Sequence, residues 1–392
     1  MEAIITYRPN SQKIDGLFDI VLTNDILTDI CFRITGQRLF RIRKDYSSYN
    51  KGRLLFLEYD NVVYYVSLSE TNIGGRNSSL QSVPTAINMY YSDLRLNKKI
   101  CYYFLPHNGN AFTSYHLFMY KLMITAGVNF LNIRDYYPSV ISPYRDVNDL
   151  ILDRKDNQVA NASNNSSYVS KSINKIQIYA KTFGANKYES TLLAIAVSHI
   201  ADRPIDLFNI CEQDLTHLPK SSLKTIDALG NVTVHDTSLF LEKQRYFEQS
   251  DRTILRSASY LYNLFNRLGA KKCALCGCEI PEIIQGAHIW GVSQISKSNL
   301  DDETKFSHAV NGHNGLWLCQ NHHKLFDSNI IMIDHDGVVH VKECLSNNDI
   351  AFIRNMTSYQ TIEERFLSND FRDYIIMRNK DLDMAHYNRL AI

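Results

Sequence analysis

The chain has 392 residues, 45% of them hydrophobic and 21% charged, enough for two or three domains that each bury a core and too apolar for disorder to be the default. Its net charge of +1 neither demands nor excludes a nucleic-acid partner, so the local distribution of charge has to decide. The N-terminal MEAIITYRPNSQK has no apolar signal region, and the longest apolar run, TLLAIAVSHIA at 191–201, is far short of a membrane span, so a cytosolic protein without a membrane partner is expected.

Residues 1–152 read as a strand-rich domain. RLLFLEYDNVVYYVSLSE at 53–70 places β-branched and aromatic residues on both sides of an Asp-Asn turn. Upstream, GQRLFRIRKDYSSYNKGR at 36–53 carries six Lys or Arg against one Asp. This patch, with Arg38, Arg41, Arg43 and Lys44, is either a solvated strand edge or a phosphate-contacting face. NIGGRNSSLQSVP at 72–84 reads as an exposed loop, in which Arg76, Asn77 and Gln81 are candidate DNA contacts. FTSYHLFMYKLMITAGVNFL at 112–131 has helical apolar spacing with Gly127 as its stop. The Asn/Ser-rich segment 153–171 is the expected linker, and 172–251 an α/β middle region holding a strand and a buried helix. RTILRSASYLYNLFNRLG at 252–269 then predicts a helix that leads to Lys271, Lys272 and the first cysteines of a C-terminal module at 252–345.

Eight cysteines are unevenly placed, three of them in CALCGC, which points to metal and not to a disulfide framework. Cys273 and Cys276 form CxxC; Cys319 and His322 form CxxH about forty residues later. Two such knuckles supply the four ligands of a structural Zn²⁺, with Cys278 as an alternative to Cys276. His323 follows His322 directly. Neighbours on a helix point about 100° apart, so His323 needs a second site. Candidates for that site are His288, in the apolar stretch QGAHIW, and Asn314, five residues before Cys319.

His, Asn and His in that order, threaded through a knuckle pair, resemble the HNH endonucleases and their ββα-metal fold, over Cys273 to about Leu345. The whole chain is then expected to be α+β: a strand-rich N-terminal DNA-recognition region, a ββα-metal nuclease module with a zinc knuckle pair, and a helical tail at 346–392. The resemblance implies a neutral His288, acting through Nε2, as general base, His323 as ligand of a catalytic Mg²⁺ or other divalent cation, and Asn314 as either a second ligand or the residue that fixes the loop of the base. Many relatives place a metal ligand directly before the base, where this chain has Ala287. Asp301, Asp302, Glu303 or His308 are candidates to replace it, and the reverse assignment, with His288 on the metal, stays open. Lys324 is expected on phosphate and Asp327 as a helix brace. IIMIDHDGVVHV at 330–341 predicts a hairpin, with His335 and His340 as ordinary hairpin residues.

A nuclease module behind a long upstream region is similar to a type II restriction endonuclease. That likeness implies double-stranded DNA as substrate, a homodimer, a bacterial cytoplasmic setting and a methyltransferase acting on the same site. Three rivals are a modification-dependent enzyme that reads a flipped base, with Tyr64, Tyr65, Tyr102 and Tyr103 as candidate pocket walls, a homing or mobile-element nuclease, and a zinc-stapled DNA-binding protein that no longer cleaves.

Overall fold

The computed structural model describes residues 2–7, 22–44, 54–69, 83–106, 114–137, 139–158, 167–181, 186–211, 218–238 and 257–390. Arg76, Asn77, Gln81 and the Lys44 side chain lie outside that set. The chain is a mixed α+β protein that clusters into two compact units. One comprises Met1–Asn157, Lys181–Leu207 and Leu215–Val234, the other Gln158–Ala180, Phe208–Asp214 and His235–Ile392.

In the first unit β1 (Ala3–Tyr7), β2 (Phe40–Lys44), β3 (Leu54–Tyr59), β4 (Val62–Leu68), β5 (Lys98–Tyr103) and β6 (Val128–Phe130) form one mixed sheet in the order β2-β1-β3-β4-β5-β6. The expected hairpin joins β3 to β4, and Asp60 and Asn61 take φ of +50° and +59°, the left-handed pair that a two-residue turn of this hand requires. The remaining neighbours include parallel pairs, β1 with β2, β4 with β5 and β5 with β6, whose crossovers need helices. These are α1 (Asn24–Thr35), α2 (Val83–Ser92) and α3 (Ser114–Thr125). Thr23 caps α1 by accepting from the Ile26 amide, Gly36 closes it in the left-handed conformation, and Leu27, Ile30 and Cys31 bury against the sheet. α4 (Val147–Gln158) runs into the expected linker from one side and β7 (Ser167–Lys171) from the other.

β8 (Ile176–Lys181) and α5 (Asn186–Ile200) realise the strand and buried helix of the middle region, and every residue from Leu192 to Val197 is fully buried. β9 (Ile205–Cys211), α6 (Lys220–Asp227) and β10 (Val232–Ser238) follow, and the strands of this region form a four-stranded sheet in the order β10-β9-β8-β7.

The C-terminal part begins with α7 (Ala258–Leu268), β11 (Ile284–His288), α8 (Val292–Lys297) and α9 (Asp302–Val310). It continues through β12 (Gly315–Cys319), α10 (Gln320–Asp327), β13 (Ile331–Ile333), β14 (Val339–Lys342), α11 (Asn347–Met356), α12 (Asn369–Asn379) and β15 (Tyr387–Arg389). β13 and β14 are the expected hairpin, and β15 adds a third strand that periodicity did not suggest. Leu275, Ala287, Leu316, Leu318, Phe326, Ile331, Val339, Ile353, Phe371 and Ile375 share one core, so the tail closes the C-terminal module.

Arg378 of α12 is the buried end of that closure. Its guanidinium lies 3.7 Å from the Phe326 ring centroid and donates to the Ile289 carbonyl (3.1 Å), the Phe326 carbonyl and Asn329 Oδ1 (2.9 Å). Burial lowers its pKa to about 10, which still leaves it charged at neutral pH. Arg378→Met fills the volume but leaves the buried Ile289 carbonyl without its donor and takes one donor from the Phe326 carbonyl, which keeps the Asn329 amide, so an unfolding free energy lower by roughly 2 kcal/mol is expected. An unchanged urea midpoint would show that these carbonyls find other partners.

Candidate active site and metal centre

β11 and β12 pair antiparallel with Ile284 opposite Cys319 and His288 opposite Gly315, and α10 follows β12 without a loop. This is a ββα frame. Strand alternation puts Gln285 and Ala287 on one face of β11 and His288 on the other. Ala287 is fully buried in the core, so the position where relatives carry a ligand is spent here on packing.

His288 sits at the end of β11, 9% exposed, with its ring stacked on Tyr260 at 3.9 Å and 12°. Nε2 lies 2.9 Å from the Ala309 carbonyl. A carbonyl only accepts, so the proton is on Nε2 and the lone pair on Nδ1. Nε2, the atom expected to act as base, is thus occupied as a donor, and Nδ1, which has no partner among the described residues, carries the lone pair. Burial, with a smaller contribution from His323, lowers the pKa of His288 to about 4 and keeps it neutral at cytosolic pH.

Asn314 is fully buried at the start of β12. Its Oδ1 accepts from the Trp290 amide (2.8 Å), and its Nδ2 donates to the carbonyls of Trp290 and His308 (both 3.1 Å). Of the two roles expected for it, this geometry is that of a loop clamp.

His323 points from α10 toward β11, Nδ1 3.2 Å from Gln285 Oε1, while Nε2 is 3.3 Å from Asp327 Oδ2. Asp327 therefore stands beside His323 on the same face of α10. The i,i+4 spacing of HKLFD held that signal, since such residues share a helix face. Of the candidate substitutes, Asp301 caps α9 through Thr304, His308 Nδ1 lies 2.8 Å from the Tyr374 hydroxyl, and Asp302 and Glu303 are exposed in the first turn of α9. His340 pairs with Asp334 at 2.8 Å, and His335 is an exposed turn residue beside Asp336.

His322, one residue earlier, faces the opposite way. Cys273, Cys276, Cys319 and His322 bring one donor atom each to within 4.8 Å of the others. Cys276 and Cys319 Sγ are 3.8 Å apart, the separation expected of two sulfurs each about 2.3 Å from a tetrahedral Zn²⁺. Cys278 is outside the cluster; its carbonyl accepts from the Cys273 amide and helps close the knuckle, with Gly277 at φ +67°. The tautomer of His322 also fits. The Thr357 hydroxyl donates to the Ile353 carbonyl (2.7 Å) and so accepts from His322 Nε2 (3.1 Å), which leaves the Nδ1 lone pair aimed at the sulfurs, 3.2 Å from Cys319 and 3.5 Å from Cys273. Burial pushes the Cys276 thiol up to about 12 and raises the Cys273 thiol as well, so these two sulfurs ionise only with a cation beside them.

The basic candidates are dispersed. Arg38 lies 5.2 Å over Phe32, Arg41 is exposed, and Arg43 is 3.8 Å from Glu58; Arg41 and Arg43 belong to the outermost strand, β2. Lys271 lies 5.8 Å over Trp317, Lys272 is 3.7 Å from Glu279, and Lys324 is exposed on α10.

The depressed pKa of His288 makes the fold acid-sensitive. Its folded value is about 4 against about 6.5 when unfolded, so between these pH values the unfolded chain binds more protons and stability falls as pH falls. At pH 5 this one group costs about 2 kcal/mol relative to pH 7. His322, also lowered to about 4 by burial, acts in the same direction. Urea midpoints at pH 7 and pH 5 should separate, and by less in His288→Gln. Equal separation in the two proteins would place the acid sensitivity elsewhere.

No curated protein matches the chain. The family described as HNH endonuclease matches residues 273–334, from the first zinc-site cysteine to the hairpin beyond α10, so the C-terminal part of this chain is an HNH endonuclease domain.

Proposed function

We propose that the chain is a site-specific, metal-dependent endonuclease of the type II restriction class. It cuts double-stranded DNA as a homodimer in the bacterial cytosol, and a methyltransferase protects the same sites. The observation that carries this reading is the placement of the His288 lone pair and the His323–Asp327 pair on one ββα frame, beside a separate cluster suited to zinc. The upstream unit, with Arg41 and Arg43 on its outermost strand, supports a part of the chain that meets DNA outside the nuclease module. Tyr65, Tyr102 and Tyr103 are at most 5% exposed and serve the core, which leaves the base-flipping rival with Tyr64 alone of its four residues.

In this reading His288 Nδ1 takes a proton from water as the water oxygen bonds to phosphorus and the P–O3′ bond breaks. The imidazolium keeps its Nε2–H on the Ala309 carbonyl, which favours the charged form at the moment it arises. A divalent cation held by His323 and Asp327 would supply charge neutralisation at the scissile phosphate and the leaving oxygen. Asn314 holds the turn after β11, so the base cannot swing away.

The test is cleavage of unmodified and cytosine-methylated plasmid by the purified protein, with Mg²⁺ or with EDTA. Discrete Mg²⁺-dependent fragments from unmodified DNA are expected. Cleavage restricted to methylated DNA would assign the chain to the modification-dependent class, and tight binding without cutting under any metal would reject nuclease activity.

A further inference from the structure

We propose that α7, which precedes the matched segment, is a working part of the active site, and that Tyr260 on it is the positioning residue of the His288 imidazole. The inference rests on His288 being the base. Tyr260 is 1% exposed, and its ring covers the His288 ring face to face at 3.9 Å and 12°. Its hydroxyl has no partner among the described residues, so the two side chains meet through their ring faces alone. With Nε2 tied to Ala309 on one edge and Tyr260 against one face, the imidazole is fixed both in its plane and about its axis. Neither constraint comes from β11 itself.

Two further side chains one helical turn apart on α7 hold the segment that faces the base. Asn263 Nδ2 donates to the Val310 carbonyl at 2.8 Å, at the last residue of α9, whose Ala309 carbonyl receives His288 Nε2. Arg267 Nη1 donates to the carbonyls of Gly312 and Gly315, both at 2.9 Å, and Gly315 is the register partner of His288. The glycines record how closely the helix approaches. A Cβ at Gly315 would meet the Tyr260 hydroxyl at 2.1 Å, and one at Gly312 the Asn263 carbonyl oxygen at 2.5 Å. One helix therefore sets the base, the carbonyl that orients it and the clamp loop together. A misplacement of about 1 Å in such a set is enough to cost about 10²-fold in rate.

The test uses the full-length zinc-loaded protein with Mg²⁺, in the parent, Tyr260→Leu and Tyr260→Phe. Leucine keeps apolar bulk without a ring, and phenylalanine keeps the ring without the hydroxyl. Tyr260→Leu is expected to lower kcat by roughly 10- to 100-fold with KM and zinc content unchanged, and Tyr260→Phe to restore the parent rate within about threefold. Independently of activity, the ring protons of His288, assigned with His288→Gln by NMR of histidine-labelled protein, should lie upfield in the parent and Tyr260→Phe and lose that shift in Tyr260→Leu. Parent-like kcat in Tyr260→Leu overturns the inference. So does an unshifted His288 resonance in the parent, which needs no variant to fold. If the parent cuts no DNA under any metal, the nuclease reading fails while the NMR comparison still decides whether Tyr260 fixes this imidazole.

Discussion

His288→Ala should lower the rate of Mg²⁺-dependent plasmid cleavage by roughly 10²- to 10⁴-fold, the range for loss of a positioned general base. The reason is specific to one atom. Nε2 is committed as a donor to the Ala309 carbonyl, so the alanine variant removes the Nδ1 lone pair and leaves the His323–Asp327 pair untouched. The same variant separates the two assignments left open by the motif. If His288 were a metal ligand, its loss would weaken cation binding, and raising Mg²⁺ would recover much of the rate. If it is the base, saturating Mg²⁺ recovers nothing. The measurement is single-turnover cleavage against Mg²⁺ concentration, with zinc content as a control on folding. A parent-like rate would place the base on another residue.

The nuclease module was legible in the sequence to the extent that its chemistry is local. CxxC and CxxH spacing is set by knuckle geometry, so the cluster could be read from spacing with only Cys278 left as an alternative to Cys276, and Cys273, Cys276, Cys319 and His322 converge. The adjacency of His322 and His323 likewise sets the two imidazoles on different faces, because a helix turns about 100° per residue. What could not be read depends on contacts distant in the chain. The tautomer of His288 is decided by a carbonyl twenty-one residues away, and the engagement of the Asn314 amide by the turn after β11. Asp327 was within reach, at helical spacing from His323, but its role is ambiguous until the metal face of α10 is known. Tyr260 carries no local signal, since an aromatic in an amphipathic helix reads as core and only tertiary packing puts it on a histidine. The N-terminal region shows the same division: the β3–β4 turn is local and was predicted, whereas the parallel neighbours that mix the sheet are joined by distant segments.

Withdrawing zinc should have the largest effect of any single manipulation. Zinc sites in small peptides contribute an apparent 10–16 kcal/mol at neutral pH, comparable to or larger than the whole stability of a typical domain. Here the four ligands join the segment before β11 to the end of β12 and the first turn of α10, and without the ion three thiols and an imidazole are packed together with nothing to hold them. The nuclease module is therefore expected to lose cooperative thermal unfolding when treated with a zinc-selective chelator, or when Cys273 is replaced by Ser. DNA cleavage should disappear in parallel even with Mg²⁺ in excess, because His323 occupies the residue after a zinc ligand and keeps its direction only while that helix turn is pinned. Restored zinc should bring back both properties in the chelated parent and neither in Cys273→Ser. Thr357→Val provides the graded version. It removes the acceptor that holds the His322 proton on Nε2, and weakens zinc by the 10- to 100-fold typical of outer-shell partners while leaving all four ligands in place. If chelation left the unfolding transition intact, the cluster would be a thiol-rich piece of core, and the second site on α10 would owe its geometry to packing alone.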